Sequence, residues 1–194
     1  MTFHKPNLEN IRIVLVEPQV PGNVGASARA VKNMGINSLT LVKPWFRGHP
    51  QARYMAHASE DVLENARVFD TLREAVSDSV LVVGTTQRKR SAIPYTNPRK
   101  AAPIILESTQ SGPVSLLFGR EDRGLLNDEL KLCQLLVTIP SSKAQPSLNL
   151  SQAVMVMAYE IYSAMHPGIS SPMDLAPSEE IEMMYEHLQR SLLT

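Results

Sequence analysis

Four short stretches of the chain carry groups that could do chemistry. The first, PGNVGASAR, runs from Pro21 to Arg29. Gly25 and Arg29 stand four apart and share one face of a helix, with Val24, Ala28 and Val31 on another. A glycine beside an arginine leaves room for a group to approach the guanidinium; a solvated arginine fits the same spacing. The second, Thr85-Thr86-Gln87-Arg88-Lys89-Arg90, directly follows a β-branched run. Its three consecutive bases could hold phosphate or simply form a solvated loop. The third, GREDRGL, sets Gly119 and Gly124 at the glycine spacing of a phosphate-binding loop, or makes a plain charged turn. The fourth is bracketed by Ile139-Pro140 and Pro146-Ser147-Leu148-Asn149, where Ser147 or Asn149 could cap a following helix.

The same stretches exclude several chemistries. Gly22 and Gly25 do not make G-x-G-x-x-G, and Val42-Lys43 ends the second strand where a nicotinamide dinucleotide site needs an acid. Leu125-Leu126 replace the Lys-Ser/Thr of a nucleoside triphosphatase loop. Without G-x-S-x-G, Ser147 is not a hydrolase nucleophile. His4, His49, His57, His166 and His187 lack metal-ligand spacing, so no metal is expected. Cys133, the single cysteine, excludes a disulfide framework and reads as a small buried residue in a reducing compartment.

The elements that must position these groups alternate. Apolar β-branched runs at 11–16, 38–42, 79–83, 114–118 and 135–139 predict five strands. Helical spacing predicts helices over 22–34, in short pieces over 54–77, and over 98–110, 149–165 and 178–193. The stretches 43–53 and 84–97 read as loops. The helix over 149–165 is apolar nearly all round, which predicts burial on several sides. Such alternation predicts an α/β fold, a mostly parallel sheet with helices on both faces. Ligands then bind outside the carboxyl ends of the strands, where the loops 83–90, 119–127 and 140–149 stand.

At 194 residues the chain predicts one domain, residues 1–166, followed by a proline-rich linker and short C-terminal helix over 167–194. No apolar h-region opens the chain and no run spans a bilayer, so a cytoplasmic protein without membrane contact is expected. Nineteen basic and nineteen acidic residues cancel, which on its face argues against a nucleic-acid partner. The average conceals two parts. Residues 1–173 carry 18 bases and 14 acids, whereas the last 21 residues carry five acids and Arg190. The excess concentrates at Arg88, Lys89, Arg90, Arg99 and Lys100, so a local patch could still meet RNA.

Taken in order, LVEPQVPGNVGASARAVKNMG, VVGTTQRKR, LLFGREDRGL and IPSSKAQPSLNLSQAVMVMAYE resemble the TrmH-type SPOUT RNA methyltransferases, most closely the TrmJ-like branch. The resemblance covers roughly residues 10–165. It implies a SPOUT fold with a C-terminal trefoil knot, a homodimer with sites near the interface, and bound S-adenosylmethionine. It implies 2′-O-ribose methylation of tRNA, at cytidine or uridine 32 of the anticodon loop. Thr85, Thr86, Gln87, Gly119, Ile139, Pro146, Ser147 and Leu148 are then expected around the cofactor. Asn23, Arg29, Glu121, Ser147 and Asn149 are expected in catalysis, and Arg88, Lys89 and Arg90 on RNA. Pro146 stands where relatives often carry a small hydroxyl residue, which implies a backbone contact there. A guanidinium with a pKa above about 12 is a poor base, so Arg29 reads as a positioner of phosphate and hydroxyl. Two other readings stay open: a ribosomal RNA substrate, and a non-catalytic RNA-binding module on the same fold. Failure to bind S-adenosylmethionine would favour the module.

Overall fold

The computed structural model describes residues 7–46, 48–87, 93–166 and 176–193. One 3-10 turn precedes a sheet of seven strands. These are β1 (Ile11–Val16), β2 (Ser38–Val42), β3 (Arg67–Phe69), β4 (Leu81–Thr85), β5 (Tyr95–Thr96), β6 (Val114–Phe118) and β7 (Leu135–Val137). Their order is β3-β2-β1-β6-β4-β7-β5, and every neighbouring pair is parallel. The helices are α1 (Pro21–Asn33), α2 (Pro50–Ala56), α3 (Glu60–Glu64), α4 (Leu72–Ala75), α5 (Pro98–Ser108), α6 (Asn127–Leu130), α7 (Leu150–Met165) and α8 (Ser178–Leu192).

Period-two alternation sorts the strands onto two faces. Ile11, Ile13, Leu15, Leu116, Phe118 and Val137 join the larger core with residues of α1, α5 and α7. Val14, Val16, Leu117 and Leu136 turn the other way, onto Leu72 and Ala75 of α4 and Leu130 of α6. The expected two-faced parallel sheet is present, with α1, α5 and α7 gathered on one side.

Five expected features differ. β3 and β5 were not expected: edge strands of three and two residues are too short to show a period. The stretch 43–53, expected as a loop, contains most of α2. Pro50 occupies its first turn, a position that suits a residue without an N–H, and the His49 ring accepts from Gln51 N at 3.2 Å. β4 lies two residues later than expected, because Val80 still bonds the Pro113 carbonyl outside the ladder. β7 ends at Val137. Finally, α7 is not covered all round: Leu150, Val154, Met157, Ala158 and Ile161 are buried and Ala153, Met155 and Val156 partly so, while Tyr159 and Tyr162 face outward.

Helix α2 lies directly on α1, and Gly25 is the reason. A Cβ there would stand 2.0 Å from the Ala52 carbonyl oxygen and 3.0 Å from the Ala56 nitrogen. The small residue next to Arg29 therefore makes room for the backbone of α2. Gly25→Ala should lower stability by about 1–3 kcal/mol through overpacking, measured by urea denaturation.

Candidate active site

Ligands of parallel sheets bind outside the carboxyl ends of the strands. A cavity of about 310 Å3 lies there, walled by the segments after the neighbouring strands β6, β4 and β7. Thr85, Thr86, Gln87, Gly119, Ile139, Pro146, Ser147 and Leu148 all line it, as do Arg120, Glu121 and Leu125. Arg88, Lys89 and Arg90 lie outside the described residues.

Cross-loop hydrogen bonds hold the walls. The Thr85 hydroxyl donates to the Leu117 carbonyl and the Gln87 amide to that of Ile139, both at 2.8 Å. The Thr138 hydroxyl donates to the Thr86 carbonyl at 2.8 Å, and Ser141 to that of Pro146 at 2.7 Å. Gly119 has no room for a side chain: a Cβ would come within 2.2 Å of the Leu125 nitrogen. Gly124, at φ 67°, closes the same loop by donating to the Arg120 carbonyl at 2.8 Å. The glycine pair thus folds the loop onto itself.

The residue between these glycines is the largest feature that the sequence reading missed. Arg120 is buried, 7% exposed, and forks onto both Glu129 oxygens at 3.0 and 3.1 Å. It also donates to Glu17, just after β1, at 2.9 Å. Burial works against its charge, but its hydrogen bonds to Glu129 and then to Glu17 more than offset this and hold its pKa above the ordinary value. Glu129 had a local signal, as an acid in the first turn of α6. Glu17 and Arg120 had none, being 103 residues apart.

Glu121 faces the opposite way. Its carboxylate accepts from Gln19 N at 2.8 Å, Val20 N at 3.2 Å and the Asn23 amide at 2.8 Å. Asn23 in turn accepts from the Asn149 amide at 2.9 Å. The Asn149 side-chain oxygen caps α7, accepting from Ser151 N at 2.9 Å. Three expected catalytic residues therefore form one chain, and every bond in it holds α1, α7 and the β6 loop in register. Ser147 stands exposed on the cavity wall. Arg29 does not line the cavity; it lines a separate groove with residues of α2. Trp45, also missed, stands 69% exposed near this end of α1, its indole N–H donating to the Gln19 carbonyl at 3.1 Å.

The sequence pattern of the SpoU rRNA Methylase family matches residues 10–159. The chain belongs to that family. It is 41% identical over 201 residues to the Pseudomonas aeruginosa protein named tRNA (cytidine/uridine/adenosine-2′-O-)-methyltransferase TrmJ, covering 96% of this chain and 78% of that protein. The solved structure of TrmJ from Z. mobilis ZM4 is 42% identical, with a TM-score of 0.74 over 93% of this chain and 78% of the other. The SpoU methyltransferase AviRb from Streptomyces viridochromogenes, solved with the cofactor AdoMet, shares the fold at 21% identity and a TM-score of 0.63, over 85% and 60%. Among the described residues, no cluster of three His, Cys, Asp or Glu could hold a metal, and no helix is long and apolar enough to cross a membrane.

Removing Arg120 would leave Glu129 packed without its cation. Arg120→Met should cost about 3 kcal/mol in urea denaturation, with part of that recovered when Glu129→Leu is added. Cys133 packs against Gly84, where a Cβ would meet its Sγ at 2.7 Å. Burial, and then the charge of Glu129, push its thiol up to about 12. Its thiolate is scarce at pH 8, so iodoacetamide should spare native Cys133 and alkylate it after unfolding, as read by mass spectrometry.

Proposed function

We propose that this chain is an S-adenosylmethionine-dependent 2′-O-ribose methyltransferase of tRNA, acting on cytidine or uridine 32 of the anticodon loop. The observation that carries the reading is the cavity at the carboxyl ends of β4, β6 and β7. Its lining coincides with the positions expected for the cofactor, in a chain 41% identical to a TrmJ over nearly its whole length. The residues fit such a ligand. Ile139, Leu148 and Leu125 offer apolar walls to a base, while Thr86, Ser147 and Glu121 offer polar groups for ribose and amino-acid moieties.

When bound, S-adenosylmethionine supplies a methyl group on a sulfonium, and transfer to a hydroxyl needs in-line alignment. The cross-strand bonds of Thr85 and Gln87 hold the wall rigid. The chain Glu121–Asn23–Asn149 keeps α1 and the start of α7 at the rim, so these residues position rather than react. Arg29 holds the substrate's phosphate and 2′-oxygen. It stands outside its own chain's cavity, which supports a homodimer in which each Arg29 completes the partner's site. The outward face of α7, with Tyr159 and Tyr162, is the apolar surface offered for that contact. Residues 1–166 form the catalytic domain. The packing of α7 beside α1 and α5 supports a C-terminal trefoil knot. Residues 167–194 are linker and α8, whose residues are all exposed. The protein acts in the cytoplasm, where tRNA and a reduced thiol belong together.

Calorimetry should show S-adenosylmethionine binding to the wild-type protein and to Arg29→Ala alike. A map of ribose methylation in total tRNA and ribosomal RNA should lose a tRNA site without this protein. Arg29→Ala should slow turnover about a hundredfold. A map unchanged in tRNA but altered in ribosomal RNA would move the substrate to the family's other class. An unchanged map beside tight cofactor binding would sink the enzyme reading.

A further inference from the structure

We infer that the groove beside Arg29 is a second RNA contact, which receives a nucleotide flanking the methylated one, with its base on Tyr54 and its phosphate on Arg53 and His57. The inference rests on the RNA methyltransferase reading of the site. The groove encloses about 640 Å3, is lined by Arg29, Arg53, Tyr54, Met55, His57 and Glu60 among others, and shares no residue with the cofactor cavity.

Three observations carry it. First, Tyr54 is 81% exposed and Met55 41% exposed, side by side on a short helix. An uncovered phenol ring next to cations is a stacking platform for an unpaired base. Second, two arginines, Arg29 and Arg53, stand against a single acid, Glu60, in the groove, and His57 adds an imidazole that can donate to phosphate. Arg53 reaches Glu64 at 3.3 Å, but both side chains are more than half exposed. A pair so solvated contributes little and can exchange its carboxylate for a phosphate. Third, the groove is built. Gly25 lets α2 close onto α1 within a turn of Arg29. Lys32 of α1 donates to the Ala58 carbonyl at 3.0 Å and pairs with Asp61 at 2.6 Å, fastening the turn after α2. In that turn His57 and Ala58 adopt φ of 27° and 59°, a region that glycine would occupy without strain. The His57 imidazole stands in that turn and lines the groove. Its mixture of cations and an aromatic suits a single-stranded nucleotide better than an apolar partner surface.

The test uses the full chain, S-adenosylmethionine and an anticodon stem-loop RNA. Tyr54→Ala should raise the KM for RNA roughly five- to a hundredfold, with kcat and cofactor affinity unchanged. Tyr54→Trp should restore the wild-type KM. Arg53→Gln should reduce the slope of log affinity against log salt by about one. A wild-type KM for Tyr54→Ala, in a protein that methylates the RNA, overturns the groove alone. Loss of the dimer on gel filtration of Tyr54→Ala overturns it too, since the groove would then be covered by a second copy. A wild-type protein that neither binds nor methylates the RNA overturns both this inference and the reading on which it rests.

Discussion

The guanidinium of Arg120, held between Glu129 and Glu17, is the constraint on which the carboxyl end of the sheet depends. An arginine 7% exposed cannot shed its proton, so its charge must be matched where it lies. Glu129 matches it from the first turn of α6, and Glu17 from the turn after β1, where the backbone takes the unusual φ of 45°. The turn after β1 and the first turn of α6 are thereby tied to one residue of the β6 loop. Glu121 follows at once and turns its carboxylate to the start of α1. Two consecutive residues therefore set the loop, the helix and the crevice relative to one another, and the glycines on either side let the loop fold tightly enough to do so.

Helix α1 then acts as a beam with different attachments along its length. At its start Asn23 joins Glu121 to Asn149. In its middle Gly25 receives α2, and near its end Lys32 clamps the turn beyond. Arg29 projects between the last two. The cavity after β4, β6 and β7 and the groove beside Arg29 therefore stand on separate surfaces.

Overall neutrality also takes a different meaning in three dimensions. Arg99, counted in the basic patch, lies 3.3 Å from Glu160 of α7 and is partly spoken for. Arg53 and Arg29, distant from that patch in sequence, share a groove through the packing of α2 on α1. The acids of α8 lie on a helix with no buried residue. Net charge thus says less about RNA than which few cations face open space together.

Local pattern was enough for the strands of the sheet centre, the long helices and the three loops that wall the cavity; the lining residues themselves came from the family resemblance. β-branched runs bounded by Pro and Gly mark buried parallel strands, and the loops that follow them must gather at one end. Asn149 as a cap was legible for the same reason, since capping is a contact within one turn. The edge strands β3 and β5 and the helix α2 were not, because two to seven residues carry no readable period. Nor was the meaning of Gly25: spacing put it beside Arg29, but only packing showed that a backbone fills the space it leaves. The sequence by itself determined the fold class and the loops at the ligand end through spacing and order, and the family and the residues around the cavity through the resemblance of its four motifs. Only the tertiary structure decided that Arg120 is the buried centre, that Glu121, Asn23 and Asn149 form one chain, and that Arg29 stands apart from the cavity. Those facts depend on contacts between residues about a hundred positions apart, and a charge or an amide has no periodicity to announce its partner.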